Sequence, residues 1–310
     1  MKVVELNSVV SKLESIREHE SERGKSTGYR SLDEFYTIIQ GNTTIISGHP
    51  TSGKSSLYFQ FLCNLTCQYN WRHAIHSPET GQAEDIYAKI IHILTGKTFN
   101  KKYDNYITEK EMYNVIPFVH DFFKVIEPAN DSMSVDEYYE LATQIINEFE
   151  VHTIGIDNWN DLEHKFQGQV SEYLKSQIPR FNRFCKKMNV HGFLLAHPRN
   201  PDMRGQKALK APRPDELEGG SLWYAKAQSL LVAHHDWSNP NDYTTEIYIH
   251  KAKPKTVGKK GFITLQFAAA RDCYFEEING RYYYPETPFK ESANPTIFEP
   301  EEDEYRKPCF

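Results

Sequence analysis

The chain has few of the features that mark membrane, secreted and metal-binding proteins. In 310 residues no apolar run is long enough to span a bilayer. Residues 1–20 carry too many charges for a signal peptide. The five cysteines form no cluster with metal-ligand spacing. Cys63 and Cys67 lie one helical turn apart in an apolar segment, so we expect them to be core thiols rather than ligands.

Composition indicates a globular chain without internal repeats. With 39% hydrophobic and 25% charged residues it suits one large domain or two small ones. The formal net charge is -6. That value does not exclude nucleic acid as a partner, because the acidic residues are unevenly placed along the chain.

A glycine-rich segment gives the first indication of chemistry. Residues 48–55, GHPTSGKS, fit the pattern G-x-x-x-x-G-K-[ST]. A β-branched run precedes the segment and an apolar run with helical spacing follows it, which is the strand–loop–helix context of a phosphate-binding P-loop. The alternative is a chance match in a Gly/Ser turn. The predicted nucleotide-binding residues are Gly48, His49, Pro50, Thr51, Ser52, Gly53, Lys54, Ser55 and Ser56, with Lys54 on the phosphates and Ser55 on Mg²⁺.

Strand and helix patterns alternate along the chain. This alternation predicts an α/β fold with a mainly parallel twisted sheet between helices, ending in an antiparallel hairpin. The predicted strands are 43–47, 72–77, 122–127, 153–157, 191–197, 229–234, 246–252 and 261–267. The predicted helices are 55–69, 83–95, 134–150 and 170–189.

Two carboxylates follow predicted strands. Asp157 ends the run TIGID, where a P-loop protein needs a carboxylate for the Mg²⁺ shell. Glu79 follows the second strand, where it would align the attacking water. The alternative for Glu79 is a helix N-terminal residue that merely favours the helix dipole. A nucleotide site and an odd number of cysteines both favour a reducing cytoplasm.

The motifs occur in a distinctive order. They are TGYRSLDEF, GHPTSGKS, HSPE, IGIDN, LLAHPRN, GGSLWYAKAQSLLV and HKAKPKTVGKKGFITLQF. From about residue 25 to 278 the chain resembles the C-terminal RecA-type motor domain of ring-shaped replicative DNA helicases, including DnaB, phage primase-helicases and Twinkle. The resemblance implies ATP or another NTP, Mg²⁺, single-stranded DNA, a homohexameric ring and 5′–3′ unwinding. A RecA-like recombinase or mediator that does not unwind is the alternative.

The resemblance also implies roles for individual residues. Glu79 takes the place of the catalytic base, and His197 would contact the γ-phosphate from a strand between those of Lys54 and Asp157. An ordinary strand-end histidine is the alternative. The basic loop, residues 199–213, would grip DNA, or it is only a solvated charged segment. Its predicted DNA-binding residues are Arg199, Arg204, Lys207, Lys210 and Arg213.

One stretch departs from the family pattern. Where these helicases carry a Lys-x-Arg pair whose arginine enters the neighbouring subunit's site, this chain has Lys251-Ala252-Lys253. Lysine lacks the bidentate fork of arginine. The trans-acting group is therefore Lys253, Lys251 or an arginine from elsewhere, or ring hydrolysis is weak.

The two ends differ from the central segment, 26–284. Residues 1–25 carry an apolar stripe among charges, which predicts an amphipathic linker helix that docks on a neighbour or packs on its own domain. Residues 285–310 are acidic and proline-rich, which predicts a disordered tail. That tail would contact primase, polymerase or single-strand-binding protein, or serve solubility alone. No primase-like segment is present, so we expect a separate primase, in a bacterial or phage-infected cytoplasm.

Overall fold

One mixed sheet runs through the part of the chain that the structure describes. The structure is a computed structural model, and it describes residues 5–18, 23–128, 132–165, 168–199, 209–217, 219–238 and 242–289. Within them the strand order is β10-β9-β8-β7-β6-β1-β5-β4-β2-β3. The strands are β1 Thr43–Ser47, β2 His73–His76, β3 Phe123–Val125, β4 Thr153–Ile156, β5 His191–Ala196, β6 Ser229–His235, β7 Thr244–Lys251, β8 Gly261–Ala268, β9 Cys273–Ile278 and β10 Arg281–Tyr283.

The parallel half of the sheet, from β6 to β3, is covered by helices on both faces. Successive residues of a strand point to opposite faces, so Ile45 packs in one core cluster and Ile46 in the other. This burial on both sides explains the continuous apolar runs in the sequence. The helices are α1 Val10–Glu18, α2 Arg30–Asp33, α3 Lys54–Tyr69, α4 Ala83–Thr95, α5 Glu109–Phe122, α6 Val135–Phe149, α7 Val170–Met188 and α8 Leu222–Lys226.

The predicted antiparallel hairpin is confirmed as β7 and β8, and it is part of a longer antiparallel extension. β6 pairs with β7, β8 with β9, and β9 with β10, all antiparallel. The sequence analysis missed β9 and β10. Asn279 and Gly280 connect them with positive φ angles of 53° and 73°, and an Asn-Gly pair between two β-prone runs is a recognisable hairpin signal.

Helix α5 was also absent from the sequence prediction. Thr108 caps it by accepting a hydrogen bond from the backbone of Glu111, and the Glu111 carboxylate accepts one from the backbone of Thr108. This capping box was readable as T-x-x-E. Val115 and Val119 are buried beneath the helix, which carries Pro117 in its last turns.

One carboxylate, that of Asp33, organises the segment before β1. Asp33 accepts hydrogen bonds from the backbone and hydroxyl of Thr27 at 2.7 and 2.8 Å, and from the hydroxyl of Ser26. Asn64 of α3 donates to the carbonyl of Thr27 at 2.8 Å. A side chain at Gly28 would collide with Asn64, since its Cβ would lie 2.2 Å from Nδ2. The TG-x-x-x-LD motif therefore holds this segment against α3.

Two apolar side chains of the N-terminal segment are exposed. Residues Leu6–Val9 form a 3₁₀ turn that leads into α1. Leu6 is 67% exposed and Leu13 48% exposed. In the described segments no helix is both long and apolar enough to cross a membrane.

The first residues of the predicted tail pack on the sheet domain. Thr287 donates a hydrogen bond to the carbonyl of Leu94 at 2.5 Å, and the ring of Phe289 meets Phe118 of α5 edge-on, with centroids 5.1 Å apart. The packed body thus extends at least five residues beyond position 284. The rest of the predicted tail, 290–310, lies outside the described residues.

We predict that Asp33→Asn lowers the free energy of unfolding by about 1–3 kcal/mol, because an amide cannot accept all three hydrogen bonds and leaves a partner unpaired. Urea denaturation measures this change. Glu34→Gln, at the exposed neighbouring position, is the control. Equal stability of the two variants would contradict the anchoring role of Asp33.

Candidate functional site

The predicted site residues converge on one edge of the sheet. β5 lies between β1 and β4, with Ser47 opposite Ala196 and Ile156 opposite Leu194. The carboxyl ends of parallel strands meet at the same edge, and ligands in open α/β sheets bind there. The loops after β1, β2, β4 and β5 carry Lys54, Glu79, Asp157 and His197 respectively.

The loop after β1 forms a tight turn into α3. Gly53 has φ 87° and ψ 10°, and α3 begins at the next residue, Lys54. A Cβ on Gly53 would lie 1.9 Å from the hydroxyl of Tyr274, which donates a hydrogen bond to the Gly53 carbonyl at 3.2 Å. A Cβ on Gly48 would lie 2.4 Å from the carbonyl oxygen of Ala233. Only glycine fits at either position.

Glu79 is the centre of a four-residue cluster, the Glu79 cluster, with Lys54, Asn158 and His197. Its Oε1 lies 3.3 Å from Nζ of Lys54, and its Oε2 accepts from Nδ2 of Asn158 at 2.8 Å. Nε2 of His197 lies 3.2 Å from the same Oε2. The hydrogen bond from His197 is the largest cause that lowers the pKa of Glu79 to about 2, with Asn158 and Lys54 adding to it against partial burial. Glu79 is therefore ionised at neutral pH.

Asp157 lies beside this cluster in a fully buried position. Its Oδ2 accepts from Ser77 at 2.9 Å, while its Oδ1 is buried without a hydrogen-bond partner among the described residues. Burial is the main cause that raises the pKa of Asp157 to about 6, although Lys54, Ser77 and Ser55 favour its charged form. A buried, unpaired carboxylate oxygen near the Ser55 hydroxyl offers the oxygen ligands that Mg²⁺ prefers, so these residues fit the ion.

A cleft of two adjoining cavities opens over the loop. One cavity, of about 590 Å³, is lined by Lys54, Ser55, Ser56, Glu79 and Lys89. The second, of about 660 Å³, shares Thr51, Gly53 and Ser56 with the first and continues away from Glu79. Its walls include the aromatic side chains of Trp237, Tyr243, Phe267 and Tyr274. The first cavity is lined by charged side chains of both signs, and the second offers flat aromatic surfaces.

The structure adds site residues that sequence analysis missed. Lys89 of α4 forms an ion pair with Asp272 at 2.8 Å, and its Nζ lies 3.4 Å from the hydroxyl of Ser56. No motif marks Lys89, because only the packing of α4 brings it to the cleft. Asn158 was easier to find, since it directly follows Asp157 in the sequence.

Comparisons with known proteins give relatives in sequence and in fold. No family model matches the chain. The chain is 26% identical over 260 residues to the Twinkle homolog protein, chloroplastic/mitochondrial, of Arabidopsis thaliana. The aligned part makes up 79% of this chain and 35% of the relative, so the chain spans about a third of that protein's length.

Solved structures share the fold. One solved ATPase domain superposes with a TM-score of 0.71 at 17% identity, over 86% of this chain and 96% of that one. A DnaB-like replicative helicase, described with its primase interactions, gives 0.70 at 18% identity, over 87% and 68%. The chain is thus similar to the Twinkle homolog in sequence and shares its fold with a DnaB-like replicative helicase. A KaiC-like protein of Pyrococcus horikoshii OT3 matches more loosely, with 0.56 at 12% identity, over 81% and 97%. The predicted RecA-like fold is confirmed.

The two ends of the basic loop, residues 199–213, lie side by side. Pro198 pairs with Leu217 in an antiparallel bridge, and the backbone N–H of Arg199 donates to the carbonyl of Glu216 at 2.7 Å. The predicted loop therefore leaves β5 right after His197 and returns beside its starting point. Arg204 and Lys207 lie outside the described residues.

The basic side chains at the two ends of the loop have local partners. Arg199 donates to the carbonyl of Asp215 at 2.6 Å. Arg213 forms ion pairs with Asp215 at 3.2 Å and Glu216 at 3.4 Å. Both arginines thus brace the base of the loop, whereas the side chain of Lys210 is exposed. This distinction could not be seen in the charge pattern alone.

Lys251 and Lys253, which stand where the family pattern has a Lys-x-Arg pair, differ in their surroundings. Nζ of Lys251 donates to the carbonyl of Tyr224 at 2.6 Å and to that of Ala225 at 3.2 Å, near the C-terminus of α8. Burial lowers the pKa of Lys251. Lys253 is exposed, and its side chain makes no hydrogen bond or ion pair with any described residue. Its backbone carbonyl is anchored by Asn42, just before β1.

The raised pKa of Asp157 predicts a pH-dependent effect on stability. The pKa of Asp157 is about 6 in the folded protein and 3.8 in its usual range. The protonated carboxyl therefore contributes its full stability below pH 3.8, and this contribution is lost as the pH rises through about 6. Asp157→Asn imitates the protonated form at every pH. Without Mg²⁺, it should raise the free energy of unfolding by up to about 3 kcal/mol at pH 8 and by less than about 1 kcal/mol at pH 4.

Urea denaturation in EDTA at the two pH values measures this difference. Asp121→Asn, at an exposed position of α5, serves as the control for the loss of a surface carboxylate. A variant that is no more stable than the wild type at pH 8 would show that the ionised carboxylate of Asp157 does not destabilise the folded protein.

Proposed function

We propose that the chain is the motor of a replicative DNA helicase that moves along single-stranded DNA as a homohexameric ring, driven by hydrolysis of ATP or another NTP with Mg²⁺. The observation that carries this proposal is the Glu79 cluster. It joins the phosphate-binding lysine, the strand-end residue Asn158 and the histidine from which the basic loop departs, with distances of 2.8–3.3 Å.

The two cavities of the cleft suit different parts of a nucleotide. Backbone N–H groups of the glycine-rich loop and Nζ of Lys54 would hold the phosphates, and Ser55 and Asp157 would hold Mg²⁺, which neutralises phosphate charge during transfer. The aromatic walls around Trp237 and Tyr243 would take the base by stacking. Lys89 lines the first cavity beside Ser56, where it would meet the inner phosphates or the ribose.

Glu79 would orient the attacking water. A carboxylate with a pKa of about 2 is a weak proton acceptor while its three donors remain in place. Two of those donors, Lys54 and His197, are the side chains assigned to phosphate. Contact with a nucleotide would draw them from Glu79 and make that carboxylate more basic, so activation would follow substrate binding.

Lys253 supports the trans-acting role better than Lys251. Lys251 is committed to the carbonyl groups at the end of α8. Lys253 lies next to Asn42, at the amino-terminal edge of the parallel strands and opposite the edge that carries Lys54. In a head-to-tail ring the two edges of neighbouring subunits face each other, so an exposed cation here would reach the neighbour's phosphates.

The N-terminal helix supplies a second contact for the ring. Its exposed apolar side chains have no cover within the described chain, and burial of such a stripe against a neighbouring subunit would be favourable.

The resemblance to ring-shaped replicative helicases gives the remaining proposals. These are 5′–3′ polarity, a cytoplasmic site in a bacterium or phage-infected host, and contacts of the acidic tail with primase, polymerase or single-strand-binding protein.

One observation favours a second candidate, a RecA-like recombinase or mediator that responds to ATP without unwinding. The trans position holds lysine rather than arginine, and lysine binds phosphate as a point charge without bidentate geometry. The ATPase rate with and without single-stranded DNA, alongside mass photometry, separates the candidates. DNA-stimulated hydrolysis by a closed ring supports the helicase. Slow hydrolysis in open filaments supports the recombinase.

We predict a binding defect for one substitution in the Glu79 cluster and a hydrolysis defect for another. Lys54→Ala should abolish nucleotide binding, because Lys54 meets the phosphates in the ground state. Glu79→Gln should bind nucleotide normally and hydrolyse it at least about 100-fold more slowly, because Glu79 acts on the water. Equilibrium binding and single-turnover hydrolysis measure the two effects, with Glu84→Gln on exposed α4 surface as the control. Wild-type hydrolysis by Glu79→Gln would show that the assignment is wrong.

Lys253→Ala should lower kcat by at least about tenfold without changing nucleotide affinity, since a trans cation acts on the transition state. Lys253→Arg should restore or raise kcat. Lys255→Ala, at an exposed position two residues away, is the matched control. If Lys253→Ala retains the wild-type kcat in an intact ring, the trans group lies elsewhere.

Deletion of residues 1–22 should reduce the oligomer mass and leave the core folded, because the exposed stripe covers a neighbour rather than its own domain. Leu6→Ser with Leu13→Ser should act likewise, and Asn7→Ser with Glu14→Ser, at exposed polar positions, should not. Mass photometry and circular dichroism provide the measurements. An unchanged oligomer mass after the deletion would exclude the helix from ring assembly.

A further inference from the structure

His49 is the second residue of the glycine-rich loop, and its side chain faces away from the nucleotide cleft. Loop residues Thr51 and Gly53 line both cavities, whereas His49 lines neither. The imidazole lies on the other side of the loop, where His49 is only 5% exposed.

On that side His49 contacts the basic loop. Its Nε2 lies 3.2 Å from the backbone carbonyl oxygen of Lys210. A carbonyl only accepts, so Nε2 carries the proton and donates it. Burial lowers the pKa of His49 and favours the neutral ring, although the hydrogen bond to Lys210 and the charge of Glu216 oppose the shift. His234 of β6 lies close enough to His49 for each ring to disfavour a charge on the other.

The carbonyl group that His49 contacts belongs to the segment that leads back from the basic loop, residues 209–217, which we call the returning limb. The outgoing limb, residues 197–199, begins at His197, which contacts Glu79. The bridge between Pro198 and Leu217 joins the two limbs at their base. Each limb is therefore attached to a different part of the nucleotide site: the outgoing limb to the water-orienting carboxylate, and the returning limb to the phosphate-binding loop.

We propose that His49 is a positioning residue that couples the glycine-rich loop to the returning limb, so that nucleotide sets the grip of the basic loop on single-stranded DNA through two links rather than one. This inference rests on the proposed function of that loop. The imidazole of His49, unlike the backbone of its loop, does not line the nucleotide cleft. It acts through the backbone of Lys210, whose exposed side chain is one of the predicted phosphate contacts.

The test is the ratio of two affinities for a fluorescent oligo-dT strand, measured by anisotropy with a saturating non-hydrolysable ATP analogue and with saturating ADP. Saturation removes any change in nucleotide affinity from the ratio. His49→Phe and the smaller His49→Asn lose the donor at the Nε2 position, and His49→Gln retains an N–H donor there. His120→Phe, on exposed surface of α5, is the control.

We expect the ratio to move at least about fivefold toward one in the Phe and Asn variants, the lower end of ordinary allosteric coupling. The Gln variant and the control should stay within about twofold of the wild type. A merely structural role would instead lower thermal stability and both affinities without changing their ratio. Wild-type ratios in both the Phe and Asn variants, or an equal loss in the Gln variant, would overturn the inference. A wild-type ratio of one would contradict the proposed function itself, and the inference with it.

Discussion

The carboxylate of Glu79 is the interaction on which the rest of the site depends. It is bound by side chains that follow three other strands: Lys54 after β1, Asn158 after β4 and His197 after β5. Only a parallel arrangement brings these strand ends together, and only helices on both faces make that arrangement stable. The buried apolar strands and helices therefore hold the other three side chains of the Glu79 cluster within hydrogen-bonding distance of Glu79.

The same arrangement has a cost in stability that a metal ion would relieve. Asp157 is buried beside Lys54 and Ser77 with one carboxylate oxygen unpaired among the described residues, and burial raises its pKa to about 6. A charge in this position destabilises the protein unless a cation meets it. Binding of Mg²⁺ with nucleotide would thus stabilise the fold as it completes the site, which links occupancy of the cleft to the order of the surrounding loops.

The sequence predicted the parallel half of the fold well, because β-branched runs and helical spacing are local signals. Helix α4 was placed at its observed bounds, Ala83–Thr95. β9 and β10 were missed although Asn279-Gly280 marks their turn. Partners of long side chains were beyond prediction. Arg199 and Lys251 donate to backbone carbonyl groups, and those contacts depend on tertiary packing, which the charge pattern does not contain.

Unwinding of a forked DNA duplex in single-turnover conditions tests the central claim most directly. The assay compares forks with a 5′ single-stranded arm, a 3′ arm or neither, in the presence of ATP and Mg²⁺. The account predicts ATP-dependent strand separation that requires a single-stranded arm and disappears in Glu79→Gln, although that variant still binds DNA. Nucleotide-dependent DNA binding without strand separation from any fork would contradict the helicase assignment and leave a RecA-like DNA-binding switch in its place.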